Sequence, residues 1–247
     1  MKQIILDKAK RQEMRDILTK YNSYKSFSEN KADAYKFVEL VGIRICPYCN
    51  INYIDVIKSQ EGSKILRPDI DHYFCRRYNK KFETCYFNLI PSCLPCNERL
   101  KGDINFMKVP HLHPYFHDFD STMRFYVKLN NSDYMNTDEF DIDISSQANV
   151  SAPVVYRAKN NIKTFKISER YAVHKDEAVK IFRNIKYYWK LRRREISNLL
   201  NYDGNGIGKK DAFIPWELIL FPEKDCDINQ TPLGKLKRDL INTYELN

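Results

Sequence analysis

Two Cys-x-x-Cys pairs, Cys46-Pro47-Tyr48-Cys49 and Cys93-Leu94-Pro95-Cys96, constrain this chain more than any other feature. Two thiolates two residues apart can turn toward one cation at ~2.3 Å, and two such pairs complete a tetrahedral shell of four sulfurs for zinc. The spacing therefore predicts a structural Zn²⁺ held by Cys46, Cys49, Cys93 and Cys96. A shell filled by four protein ligands keeps no open position, so this metal would hold a frame rather than do chemistry. The stretch between Cys49 and Cys93 exceeds a simple ribbon, so the frame must enclose an insertion. Cys75, Cys85 and Cys226 bring the total to seven, an odd number that argues against a disulfide framework. They read as small buried thiols.

At 247 residues, 43% hydrophobic and 30% charged, the chain can bury a real core and has the composition of a globular protein. No apolar run approaches the ~20 residues of a membrane span, and Ile4-Ile5-Leu6 is too short for a signal-peptide core. The expectation is a cytoplasmic protein with no membrane partner. The net charge of +9 is concentrated: Lys159 to Lys210 carries 14 Lys and Arg against 5 Asp and Glu, and the remainder is balanced. A local basic excess of this size suggests a polyanionic partner, nucleic acid first. A solvated helix face would account equally well for any single lysine.

Coarse patterning predicts three regions: an N-terminal helical segment (1–42), a core with the cysteine knuckles (43–118), and a β-hairpin plus basic helical region (119–247) packed with it. Residues 3–40 read as two helices broken at "NSYKSFSEN", with Ser28 as N-cap of the second. "KILRPDIDHYF" reads as a strand made irregular by Pro68, and "LPCNERLKGD" as the start of a helix with Pro95 in its first turn. Phe125, Val127 and Leu129 alternate with polar residues, as do Phe140, Ile142 and Ile144, which predicts a hairpin. Val179, Phe182, Ile185, Trp189, Ile196 and Leu199 follow helical spacing over Ser168–Leu200, predicting one long amphipathic helix.

Between the knuckles lies "PDIDHYF", then "FNLIPSCLPCNERLKG". The order Cys-x-x-Cys, Asp-His, Asn-Leu, Cys-x-x-Cys-Asn and Lys resembles the zinc-containing branch of the HNH endonucleases. Within it the run is most similar to bacterial phage-defence nucleases of the PtuB-like kind. The motifs cover roughly Ile43 to Asp103, about a quarter of the chain. The resemblance implies an α+β fold: a ββα-metal core with the four-cysteine zinc site, surrounded by N- and C-terminal helices and an extra hairpin. It implies His72 as general base, Asp71 and Asn97 as ligands of a catalytic Mg²⁺ or Mn²⁺, and Asn88 as the residue that steadies the loop and orients His72. It also implies a protein partner such as an ATPase or reverse transcriptase of an antiviral defence system. Relatives commonly carry proline where Cys75 stands, so the loop after "DHYF" is expected to take its own path.

These residue types suit hydrolysis of a phosphodiester on chemical grounds too. An imidazole can take a proton from water near neutrality, and a hard cation on oxygen ligands neutralises charge growing on the phosphoryl group. Asp and Asn oxygens favour Mg²⁺ or Mn²⁺, whereas the thiolates favour zinc. Lys101, one turn beyond Asn97, and Arg76 are candidate phosphate contacts on DNA or another nucleic acid. Asp69 is an ordinary turn residue or a supporting carboxylate. The alternative is a non-catalytic zinc-stabilised module that binds nucleic acid or a partner.

Three other features carry less. His111, His113 and His117 in "HLHPYFHDF" suggest packing before ligation, since no cysteine cluster nearby completes a shell. "NYDGNGIGKKDAF" imitates a calcium loop, but Ala212 stands where a bidentate glutamate is needed, so it reads as a turn. Arg192, Arg193 and Arg194 are candidates for backbone phosphate contacts.

Overall fold

The computed structural model describes residues 1–131, 139–187 and 226–244. Helix α1 (Lys8–Leu18) is opened by Asp7, whose side chain accepts from the Lys10 amide. Helix α2 (Tyr24–Glu29) is opened in the same way by Ser23, and α3 (Lys31–Val41) by Asn30. Each cap satisfies an amide that the first helical turn leaves without a partner. Ser28 lies inside α2 and caps nothing, so the expected pair of helices is three, with the break set by Asn30. Gly42 ends α3 at φ 70°, a conformation glycine reaches without steric cost. Phe27 and Phe37 meet edge to face at 5.7 Å in the core of this helical group.

Two short antiparallel strands, β1 (Ile57–Lys58) and β2 (Lys64–Leu66), form an exposed ribbon tied to α3 through Glu39, which takes both Lys58 and Lys64. The predicted single strand through Pro68 is thus two. Strand β3 (Asp69–His72) begins after the proline and pairs antiparallel with β4 (Leu89–Ser92), from Asp69 opposite Ser92 to His72 opposite Leu89. A helix of π type, Pro95–Lys101, follows at once. Strand, strand and helix therefore succeed one another, with the second cysteine pair at the start of the helix. Ile70, Asp71 and every residue of β4 are buried, while Asp69 and His72 at the two ends of β3 are half-buried.

Beyond the hairpin, β5 (Met123–Leu129) and β6 (Phe140–Ser146) form a two-stranded sheet, as their alternation predicts. Helices α4 (Ala152–Thr164), α5 (Ile167–Ala172), α6 (Lys175–Tyr187) and α7 (Gly234–Tyr244) complete the described elements. The expected continuous helix from Ser168 is broken at Val173–His174, where the His174 amide turns back to the Tyr171 carbonyl. Trp189, Ile196, Leu199, the three arginines 192–194 and the glycine-rich loop lie outside the described residues.

The chain divides into two compact units. One comprises Met1–Arg124, Ser145–Glu169 and Asp227–Lys235, and contains both cysteine pairs. The other comprises Phe125–Ile144, Arg170–Cys226 and Leu236–Asn247. In the latter, Phe125 stacks on Tyr171 at 4.4 Å and Lys175 pairs with Asp141 at 3.0 Å. Mixed helix and strand with small two-stranded sheets makes the fold α+β. Among the described residues no helix is long and apolar enough to cross a membrane.

Candidate functional site

The four cysteines predicted to meet do so. The sulfurs of Cys46, Cys49, Cys93 and Cys96 all lie within 4.8 Å of one another, and those of Cys49 and Cys93 are 4.0 Å apart. Sulfurs at ~2.3 Å from a tetrahedral zinc sit roughly 3.8 Å from each other, so the spacing fits such an ion closely. All four are buried. Burial, reinforced by the neighbouring sulfurs, pushes the Cys46 thiol well above its ordinary pKa. Packed thiolates of this kind are stable only around a cation, and the cluster could hold a metal such as zinc.

Each knuckle is a tight backbone turn. The Asn50 amide donates to the Cys46 carbonyl at 2.8 Å, and the Cys96 and Asn97 amides both donate to the Cys93 carbonyl at 3.0 Å. Asn50 closes the first turn at φ 54°, a left-handed conformation that asparagine tolerates better than most residues. Its side chain is fully buried and tied to the segment after Asp227: Nδ2 donates to the Ile228 carbonyl at 2.5 Å, and Oδ1 accepts from the Lys235 amide at 3.0 Å.

Over this frame, β3 and the π helix line an open cleft of about 500 Å³ that includes Asp69, Asp71, His72, Asn97 and Lys101. Asp69 and Asp71, two apart on a strand, share the face turned to the helix. The Gly102 amide bonds to the Asn97 carbonyl, an i to i−5 turn that keeps Asn97 and Lys101 nearly in line. The result is two rungs: Asn97 Nδ2 donates to Asp69 at 3.3 Å, and Lys101 Nζ to Asp71 at 2.7 Å.

The second rung is the more demanding one. Lys101 is 2% exposed and Asp71 3%. The ammonium also donates to the His72 carbonyl at 2.7 Å and lies 5.1 Å from the Phe106 ring centre. The other Asp71 oxygen accepts from the Tyr48 hydroxyl at 2.6 Å. Burial, with the Asp71 charge second, pushes the Tyr48 hydroxyl pKa well above its usual value, so Tyr48 stays a donor. Tyr48 is an interior residue of the first knuckle and stacks on Phe165 at 4.5 Å. Through it the cysteine frame is bonded directly to the cleft carboxylate.

His72 ends β3, the strand end that an adjacent Asp and His need if both are to reach one cleft. Its Nε2 is 3.1 Å from the Glu83 carbonyl, and the Tyr24 ring packs edge-on against it at 4.3 Å. A carbonyl only accepts, so Nε2 carries the proton. Burial lowers the His72 pKa, outweighing the Asp71 charge that favours the imidazolium. Asn88, fully buried, accepts from the Phe74 amide at 2.6 Å and donates to the Phe74 and Phe82 carbonyls at 3.2 and 3.1 Å. It thereby clamps the loop that carries Glu83, one residue beyond Phe82, and reaches His72 through that loop rather than by contact.

Asp71, His72 and Asn97 thus meet at one cleft, but Asn97 pairs with Asp69, while Asp71 is committed to Lys101 and Tyr48. Lys101 points inward into that pair, and Arg76 is exposed at the rim. Cys75 turns its thiol to Asp103 at 3.5 Å. The three histidines 111, 113 and 117 are each engaged in packing. His111 bonds to the Val109 carbonyl and Thr164, His113 to the Phe87 carbonyl, and His117 accepts from the His113 amide. Sequence reasoning passes over Tyr48, Tyr24 and Arg67. A tyrosine inside the first Cys-x-x-Cys is the one available signal among them.

Compared with protein-family models, with curated proteins and with solved structures, the chain matches none of them.

Proposed function

We propose that this cleft hydrolyses phosphodiester bonds of nucleic acid, DNA in preference, as a metal-dependent endonuclease of the HNH kind. The observation that carries the reading is His72: its Nε2–H is bound to a backbone carbonyl beside two carboxylates and an amide, over a four-cysteine frame. With Nε2 protonated, a neutral imidazole keeps its lone pair on Nδ1, the atom that would take the proton from an attacking water. Asn88 and Glu83 hold the ring's tautomer, and Tyr24 holds its orientation.

Asp69 and Asn97 are the residues free to hold Mg²⁺ or Mn²⁺, with Asp71 joining only on release from Lys101. Such an ion supplies Lewis acidity toward the phosphoryl and leaving oxygens. As placed, Asn97 turns its amide nitrogen to Asp69, and rotation of that amide presents the oxygen a cation needs. The zinc expected at Cys46, Cys49, Cys93 and Cys96 keeps hairpin and helix together. A role as the effector nuclease of a bacterial antiviral system, working with an ATPase or reverse-transcriptase partner, extends the resemblance and rests on it alone.

A non-catalytic zinc-stabilised binding module is the second reading, favoured by the ion pair that occupies Asp71. Plasmid incubated with Mg²⁺ or Mn²⁺ separates the two. The wild-type chain should nick or linearise it, and His72→Ala should lose at least the ~10²-fold typical of a general base. Equal cutting by His72→Ala removes His72 from the role, and intact plasmid in both samples leaves the binding module.

A further inference from the structure

The charges of the cleft sort into two sets. Asp71 is paired with Lys101 at 2.7 Å and Asp103 with Arg77 at 3.1 Å. What remains is two acids, Asp69 and Glu98, and two arginines, Arg67 and Arg76, all lining the same cleft. Neither arginine makes an ion pair with a described carboxylate. Arg67 spends one N–H on the Pro68 carbonyl at 2.9 Å, and Arg76 lies 5.9 Å from the Tyr24 ring centre. Guanidinium groups left without a carboxylate, one of them half-buried, retain free donors in the forked geometry that fits phosphate oxygens.

Their position says which phosphate. Tyr24 packs its edge against the His72 imidazole, and Arg76 sits by the same ring. Arg67 precedes β3 whereas His72 ends it, so the length of the strand separates them, and Arg76 follows His72 by four residues. The two arginines line the same cleft from either side of the histidine along the chain. We infer that Arg67 and Arg76 form a binding site for the phosphates that flank the reacting one, so that the cleft takes an internal position of a polynucleotide strand and not an isolated phosphate ester. This rests on the nucleic-acid reading given above. Arg67 and Arg76 are on this account positioning residues.

Binding measured apart from cleavage tests it. Full-length His72→Ala protein is titrated against a labelled short DNA duplex by fluorescence anisotropy over a series of potassium chloride concentrations. Arg67→Gln, Arg76→Gln, the double glutamine variant, the two Arg→Lys variants and Arg77→Gln are then compared in that background. Each phosphate contact contributes about 0.9 to the slope of log K against log salt on duplex DNA. The single glutamine variants should lower the slope by about 0.9 each and the double by about 1.8. The lysine variants should keep the slope while losing part of the affinity, and Arg77→Gln, whose arginine is already neutralised by Asp103, should change it least. Thermal melting of each variant confirms that the fold persists, and the lysine variants decide the matter wherever a glutamine variant fails to fold.

A double variant with the parent's slope overturns the inference, as does a parent that binds no DNA. The cleavage reading fails separately. A wild-type protein that cuts plasmid while the double variant's slope is unchanged loses only the arginine site. An arginine-dependent slope without any cutting loses only the hydrolysis.

Discussion

Lys101 and Asp71 form an ion pair that is almost wholly buried. Two opposite charges taken out of water attract strongly, but each loses hydration worth several kcal/mol, so the pair is sustained only because its remaining bonds are also made. Here Tyr48 and the His72 carbonyl make them. Removing one partner leaves the other buried and uncompensated. Lys101→Met should accordingly lower stability by about 3–5 kcal/mol, read as a shift in urea midpoint at constant slope. Asp71→Asn combined with Lys101→Met should recover part of that loss. A Lys101→Met protein as stable as the parent would remove the pair from its structural role. The sequence singles Lys101 out, one turn beyond Asn97, only as a candidate phosphate contact, not as one half of a buried ion pair. Its spacing from Asn97 shows that the two share a helix face, but not that the face is turned inward. That depends on Tyr48 and Asp71 arriving from distant segments, and only the folded chain brings them.

Among the elements, the hairpin of β3 and β4 and the π helix are joined at the start of the helix, where the cysteine cluster and the Asn97–Asp69 rung lie together. At the last residue of the helix they are joined by the Lys101–Asp71 rung. Hairpin and helix are short, four residues per strand and seven for the helix, too short to be stable alone in water. A metal held by the cysteine cluster would compensate. The purified protein should carry one zinc per chain by a colorimetric chelator assay, and stripping it should expose Ile43–Asp103 to protease. Cys49→Ser should do the same. Retention of the protease pattern after complete zinc removal would show that the cysteines hold no needed metal. This part was legible, because paired thiols at fixed spacing leave few alternatives. The helix boundaries were less so. Asp7, Ser23, Asn30 and Ser28 are all competent caps, and which of them acts depends on where packing starts each helix. The break at Val173–His174 carries neither glycine nor proline, so its helical spacing concealed it.

The whole molecule should weaken in acid for reasons remote from the cleft. Burial lowers the pKa of His111 to about 4 and of His113 to about 3. Above pH ~6.5 these groups are neutral in both folded and unfolded chains, and pH has no hold on stability through them. Below it the unfolded chain takes up protons that the folded one refuses, so stability falls as pH drops toward 4. For His113 the slope is about 1.4 kcal/mol per pH unit. Urea midpoints between pH 7 and 5, with zinc content checked in each sample, should show the decline, and His113→Gln should flatten it. A flat profile in the parent would mean that these rings are not held neutral. One set of contacts reaches far along the chain: Asn50, beside the first knuckle, is satisfied by Ile228, Thr231 and Lys235. During synthesis the first Cys-x-x-Cys leaves the ribosome long before these partners exist. Loop closure over 178 residues is slow and costly relative to local contacts. The contacts of the first knuckle are therefore completed only once that distant segment has been made, and a message truncated before residue 227 should yield a protein whose Asn50 side chain lacks all three of these partners.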